Sequence, residues 1–167
     1  MPAPSPRDYT PLLASLRRGR DETDTMQSAV DALWSAFKSQ GVSWIGFYLK
    51  SPENPDELVL GPRRDKPACS PIGLHGACGR SFLSRRPLVV TDVKFLGDNY
   101  VACDPRDRSE VVVPLLNPDG SAWAVLDGDS FDTGAFTPID AICLQRLLRH
   151  VGLSAHEDED VELVEVV

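Results

Sequence analysis

Residues 110–127 read Glu-Val-Val-Val-Pro-Leu-Leu, then Asn-Pro-Asp-Gly, then Ser-Ala-Trp-Ala-Val-Leu-Asp. Two runs rich in branched residues flank four residues of strong turn chemistry, which specifies an antiparallel hairpin. A lone hairpin is marginal in water, so further strands or helices must cover it. The rest of the chain supplies both.

A second strand pair precedes it. Val42-Ser-Trp-Ile-Gly-Phe-Tyr-Leu49 is aromatic and branched, and Glu57-Leu-Val-Leu60 follows a Pro/Asn/Glu turn and ends at Gly61-Pro62. Helical period shows in Met26, Val30, Leu33, Trp34 and Phe37, with Asp21 or Thr23 as cap and Gly41 as stop. A shorter helix is expected from about Asp8 to Arg18. Another opens at Thr137-Pro138, where Asp140 completes a capping box and Ile139, Ile142, Cys143, Leu147 and Val151 form the stripe. Residues 61–79 and 91–109 are expected to be long irregular segments, broken by a short helix at Gly79 to Arg85 and a strand at Leu88 to Val90. The fold class is therefore α+β: an antiparallel sheet with helices packed on one side. Long loops inside a compact domain are frequently functional.

The 167 residues fit one domain at 8–153, after a flexible N-terminus at 1–7. The net charge of −8 is concentrated at the end of the chain. Residues 154–167 hold six of the 25 acids and no lysine or arginine, leaving 17 basic against 19 acidic residues elsewhere. The body lacks the basic footprint of a nucleic-acid binder, and the end reads as an acidic disordered tail. No apolar run approaches the roughly 20 residues of a membrane span. The start, Met-Pro-Ala-Pro-Ser-Pro-Arg, has no apolar core of a signal peptide, so the expected location is the reducing cytoplasm.

Chemistry concentrates in the irregular segments. Cys69, Cys78 and Cys103 sit in small-residue or turn settings, whereas Cys143 lies in an apolar helical stretch and reads as structural. Reactive thiols need exposure and a means of stabilising the thiolate, so the three point to thiol chemistry or to a metal. Cys69, His75, Cys78 and Cys103 form the candidate zinc set, but the spacing lacks a paired C-x2-C knuckle. Period two places Trp44 and Tyr48 on one strand face, roughly 13 Å apart, and Ile45, Phe47 and Leu49 on the other. Asp127 and Asp129 share a face at roughly 6.6 Å along their strand. The hairpin brings Glu110 to the same end. Three crowded carboxyls cannot all ionise cheaply, and one that keeps its proton at neutral pH can act as a general acid.

The ordered set Trp44-Ile-Gly-Phe-Tyr48, Leu58-Val-Leu-Gly-Pro62, Lys66-Pro-Ala-Cys69, Gly76-Ala-Cys-Gly79, Val101-Ala-Cys-Asp104, Ser109-Glu-Val-Val-Val-Pro114 and Val125-Leu-Asp-Gly-Asp-Ser130 resembles the free methionine-(R)-sulfoxide reductases, which are stand-alone GAF domains. The match runs from about residue 26 to 150. It implies a GAF fold and reduction of free L-methionine-(R)-sulfoxide. Cys103 is similar to the family's nucleophile, Cys69 to its resolving cysteine and Cys78 to a third cysteine active in disulfide exchange. Glu110, Asp127 and Asp129 match the acids that bind the sulfoxide and ammonium groups, with Glu110 also on the catalytic side. Trp44 and Tyr48 match the aromatics around the S-methyl end. The resemblance further implies thioredoxin as reductant and a homodimer, with no cofactor and no metal.

This sequence departs from the family pattern in three places. The Cys69–Cys78 stretch is one residue shorter, Asp98-Asn99-Tyr100 replaces a Gly-His pair before Val101, and Gly128 replaces a branched residue between the aspartates. The alternative reading is a non-catalytic GAF module that senses a small molecule or redox state.

Overall fold

The computed structural model describes residues 7–100, 103–157 and 159–167. Its centre is the expected hairpin, β5 (Ser109–Leu116) and β6 (Ala122–Ser130). The Asn117–Gly120 turn closes with a 2.9 Å bond from the Gly120 N–H to the Asn117 carbonyl. Gly120 takes φ +87°, a value that side chains disfavour. Outward from β6 lie β1 (Trp44–Lys50), β2 (Glu57–Arg64) and β3 (Ile72–Gly73). Outward from β5 lie β4 (Leu88–Val90) and β7 (Glu165–Val166), giving the order β3-β2-β1-β6-β5-β4-β7.

Among the described residues four α-helices accompany the sheet: α1 (Thr10–Ser15), α2 (Glu22–Phe37), α3 (Ala77–Ser84) and α4 (Pro138–His150). Asp21 caps α2 by accepting the Asp24 N–H at 2.8 Å, and Glu22 and Asp24 place negative charge at the positive end of the helix dipole. Its stripe, Met26, Val30, Leu33 and Phe37, is buried. On α4, Asp140 accepts the Thr137 backbone N–H at 3.0 Å. α2 and α4 bury their stripes against one sheet face, where Ile45, Phe47, Val111, Val113 and Leu126 complete the main core.

Several boundaries move. The first helix is only Thr10–Ser15, and β2 runs on to Arg64 within the segment expected to be irregular. α3 begins two residues before Gly79 and lies on the opposite face from α2 and α4, against β5 and β6. Gly79 lets the loop before α3 cross close to the helix, because a Cβ there would collide with the Leu74 backbone. A 3-10 segment at Val93–Asn99 breaks the second irregular stretch.

The expectation of a disordered acidic tail is not met. β7 joins the sheet parallel to β4, making the sheet mixed, with the Val167 N–H bonded to the Val89 carbonyl at 2.9 Å. Two of the acids that predicted solvation are spent on ion pairs: Glu159 meets Arg146 and Arg149 at 3.0 and 2.8 Å, and Glu165 meets Arg80 on α3. The flexible segment expected at 1–7 lies outside the described residues except for Arg7. That side chain is buried, with its guanidinium on Asp140 at 3.1 Å and on the Ala135 and Gln40 carbonyls at 2.8 Å each.

Candidate active site

The face of the sheet away from α2 carries the chemistry, and strand register assembles it. Asp129 on β6 pairs with Trp44 on one side and Glu110 on the other, and Glu110 pairs in turn with Val90. One residue pair along, Asp127 lies between Gly46 and Val112. Alternation turns all of these side chains the same way, so Trp44, Asp129, Glu110 and Asp127 converge on one cavity. Gly46 is needed in this row because a Cβ there would collide with the Trp44 indole, which folds across it. The Trp44 and Tyr48 ring centroids are 6.1 Å apart, forming a continuous aromatic wall opposite the acids.

The polar ends of those rings hold the Cys69 loop. The Trp44 indole N–H donates to the Lys66 carbonyl at 2.7 Å, and the Tyr48 hydroxyl donates to the Cys69 carbonyl at 2.9 Å. Lys66 forms an ion pair with Asp104, which also meets Arg106 at 2.9 Å. The loops bearing Cys69 and Cys103 are thereby drawn together, and the two cysteines form a disulfide with Cα atoms 5.5 Å apart. Both are exposed. Cys78 is free and buried in the first turn of α3, with its Sγ 4.0 Å from Glu110 Oε1, which corrects its sequence reading as an open turn cysteine. Cys143 is free and half-buried on α4, away from the cavity.

Burial dominates the electrostatics. It pushes the Asp127 and Asp129 carboxyls well above the ordinary carboxylate range, and the neighbouring acids push them further. Glu110 is raised by the same burial, but a hydrogen bond from Asp127 offsets part of the rise, so Asp127 holds the proton of that pair. Asp127, which lines the cavity, has its Oδ1 buried without a hydrogen-bond partner. Burial, followed by the charge of Asp127 and the other acids, also pushes the Cys78 thiol up, so it stays protonated.

The zinc set is not assembled: Cys69 and Cys103 are bonded to each other, and His75 is exposed while Cys78 is buried. The described residues do bring Cys78, Glu110 and Asp127 ligand atoms within 4.8 Å of one another. The Asp127 carboxyl and the Cys78 thiol are protonated there, and a cation would first have to displace those protons.

All eight expected site residues border this region: Cys78, Cys103, Glu110, Asp127, Asp129, Trp44 and Tyr48 line the cavity, and Cys69 is bonded to Cys103. Asp107 and Tyr100 line it too and were not anticipated. Asp107 lies in Asp104-Pro-Arg-Asp-Arg108, which reads locally as an ordinary charged turn.

The GAF domain family model matches residues 19–154. A free methionine-R-sulfoxide reductase of Saccharomyces cerevisiae is 34% identical over 133 residues, covering 77% of this chain and 73% of that protein. The chain belongs to this reductase family, on the GAF fold. Among the family's solved structures, a Neisseria meningitidis free methionine-R-sulfoxide reductase in complex with its substrate is 33% identical. It superimposes with a TM-score of 0.73 over 84% of this chain and 80% of its own. The reduced form of the Staphylococcus aureus reductase fRMsr gives a TM-score of 0.77 at 29% identity, covering 90% of this chain and 97% of its own.

Proposed function

We propose that this chain reduces free L-methionine-(R)-sulfoxide to L-methionine. The observation that carries the reading is the Cys69–Cys103 disulfide joined to a cavity with an aromatic wall on one side and proton-holding carboxyls on the other. A thioether needs the apolar wall. A departing sulfoxide oxygen needs a proton, and a free amino acid brings an ammonium that acids can hold.

In the reduced enzyme the Cys103 thiolate attacks the sulfoxide sulfur while the acid cluster protonates the oxygen. Substrate sulfur gains the electron pair, methionine leaves, and Cys103 retains the oxygen as a sulfenic acid. The Cys69 thiol then displaces that oxygen as water, forming the disulfide. Cys69 is the resolving cysteine in this account, because it is exposed and already paired with Cys103, whereas Cys78 is protonated and buried. Cys78 is left with a secondary part in disulfide exchange. An external dithiol must reopen the bond, and exposure of both sulfur-bearing residues suits thioredoxin. The reading places the enzyme in the cytoplasm as a homodimer. None of the described helices is long and apolar enough to cross a membrane.

NADPH consumption with thioredoxin and thioredoxin reductase tests this. Turnover of the free R epimer, but not of the S epimer or of peptide-bound sulfoxide, is expected. No turnover with any of them would leave a GAF redox or ligand sensor as the better account.

A further inference from the structure

Among the described residues, Asp107 is the one carboxyl lining the cavity that comes from the loop after Cys103 and not from the sheet. It occupies a junction. A second, smaller cavity opens beside the first towards the Lys66–Asp104 ion pair, and Cys103, Asp107 and Asp129 line both. Asp107 thus stands in one connected space with the sulfur that must lose a proton and an acid that must give one. It also has an outlet towards the surface charges.

We propose that Asp107 is a proton-transfer residue of this site, accepting the thiol proton of Cys103 and returning it to Asp129 and the buried pair behind it. The inference rests on the reductase reading above and adds a component to it. In the balanced step, the Cys103 S–H bond breaks and its proton moves to the Asp107 carboxylate. The Cys103 electron pair attacks the sulfoxide sulfur, and Asp129 or its partner protonates the oxygen. Methionine and the Cys103 sulfenic acid result. The proton on Asp107 then refills the vacated carboxyl, so no proton is gained or lost overall.

The surroundings divide the labour. Asp127 and Asp129 are held neutral by burial and can donate at neutral pH, but they are poor acceptors. Asp107 is half-buried, in the loop between Cys103 and β5. Asp104 faces it as an anion, Lys66 and Arg106 as cations, and Glu110, Asp127, Asp129 and Tyr100 adjoin it from the cavity side. Burial and Asp104 raise its carboxyl while the two cations lower it, leaving it at about 6. A group poised there takes up and releases protons near neutrality, which general acid–base transfer requires.

Two readouts on Asp107→Asn and Asp107→Glu decide the point. The first is single turnover of the reduced enzyme with the R epimer. Asp107→Asn is expected to slow methionine release about 10²-fold, the lower end for general acid–base transfer, with substrate affinity unchanged, and Asp107→Glu to recover most of the rate. The second needs no substrate: the pH dependence of Cys103 alkylation by iodoacetamide in the reduced protein, followed by peptide mass spectrometry. The parent should show an inflection near pH 6 from the coupled carboxyl, and Asp107→Asn a simple thiol titration displaced to lower pH. An unchanged rate and alkylation profile in Asp107→Asn would overturn the inference, as would equal loss of affinity and rate. If the parent releases no methionine, the reductase reading fails on its own, and the alkylation profile still shows whether Asp107 couples to Cys103.

Discussion

The two faces of the sheet come from the same strands and behave oppositely. On β1, Ile45 and Phe47 enter the core under α2 and α4, while Trp44 and Tyr48 line the cavity. On β6, Leu126 packs inward while Asp127 and Asp129 face the acids of β5. Gly128 belongs to the core side: a Cβ there would stand 3.2 Å from Val111 and 3.3 Å from Ile45. Phe136 and these neighbours occupy the space a branched residue would need. One face therefore stores stability as close-packed apolar surface. The other holds desolvated carboxyls whose ionisation opposes folding, which is the arrangement a proton donor requires.

The largest effect should come from the packed face. Phe47 is fully buried, and Phe47→Ala is expected to cost about 3–5 kcal/mol in urea unfolding; a loss under about 1 kcal/mol would break the distinction between the faces. On the other side, Glu110→Gln should slow turnover about 10²-fold, a typical general acid–base contribution, without lowering the unfolding midpoint. A protein that instead loses stability and keeps its rate would reverse the assignment.

Asp127 sharpens the contrast through pH. Its folded carboxyl is raised, so the native state binds a proton that the unfolded chain releases. Unfolding free energy contributed by this group falls as pH rises above the ordinary carboxylate range. Asp127→Asn removes that fall. Its stability relative to the parent should grow steadily as pH rises from about 4.5 to about 8. A difference independent of pH would refute the desolvated-acid description.

Smaller changes test the connections. Tyr48→Phe deletes the bond to the Cys69 carbonyl and should cost about 1 kcal/mol, with slower disulfide formation in stopped-flow thiol assays. Glu165→Ala breaks the partly exposed pair with Arg80 and should change stability by no more than about 1 kcal/mol.

Sequence carried the elements whose signals are local. The Asn117–Gly120 turn fixed the register that sets Glu110 opposite Asp129, and period two then placed Trp44 and Asp127 on the same face. Asp21 and Thr137 marked their helices correctly. Long-range closure was not legible. The charges at Glu159 and Glu165 predicted solvation because their partners Arg146, Arg149 and Arg80 are brought up only by folding. Nothing in Gly76-Ala-Cys-Gly79 announces that α3 will press Cys78 against Glu110, and Asp107 became a cavity residue only once the Cys103 loop folded over β5.

The most direct measurement mixes fully reduced protein with one equivalent of free L-methionine-(R)-sulfoxide, without any reductant, and quantifies methionine and disulfide-linked peptides together. The account predicts close to one methionine per chain, a Cys69–Cys103 disulfide as the main product, and neither product from Cys103→Ser. Methionine formed by Cys103→Ser at the parent's level, or oxidation that bypasses Cys103, would contradict it.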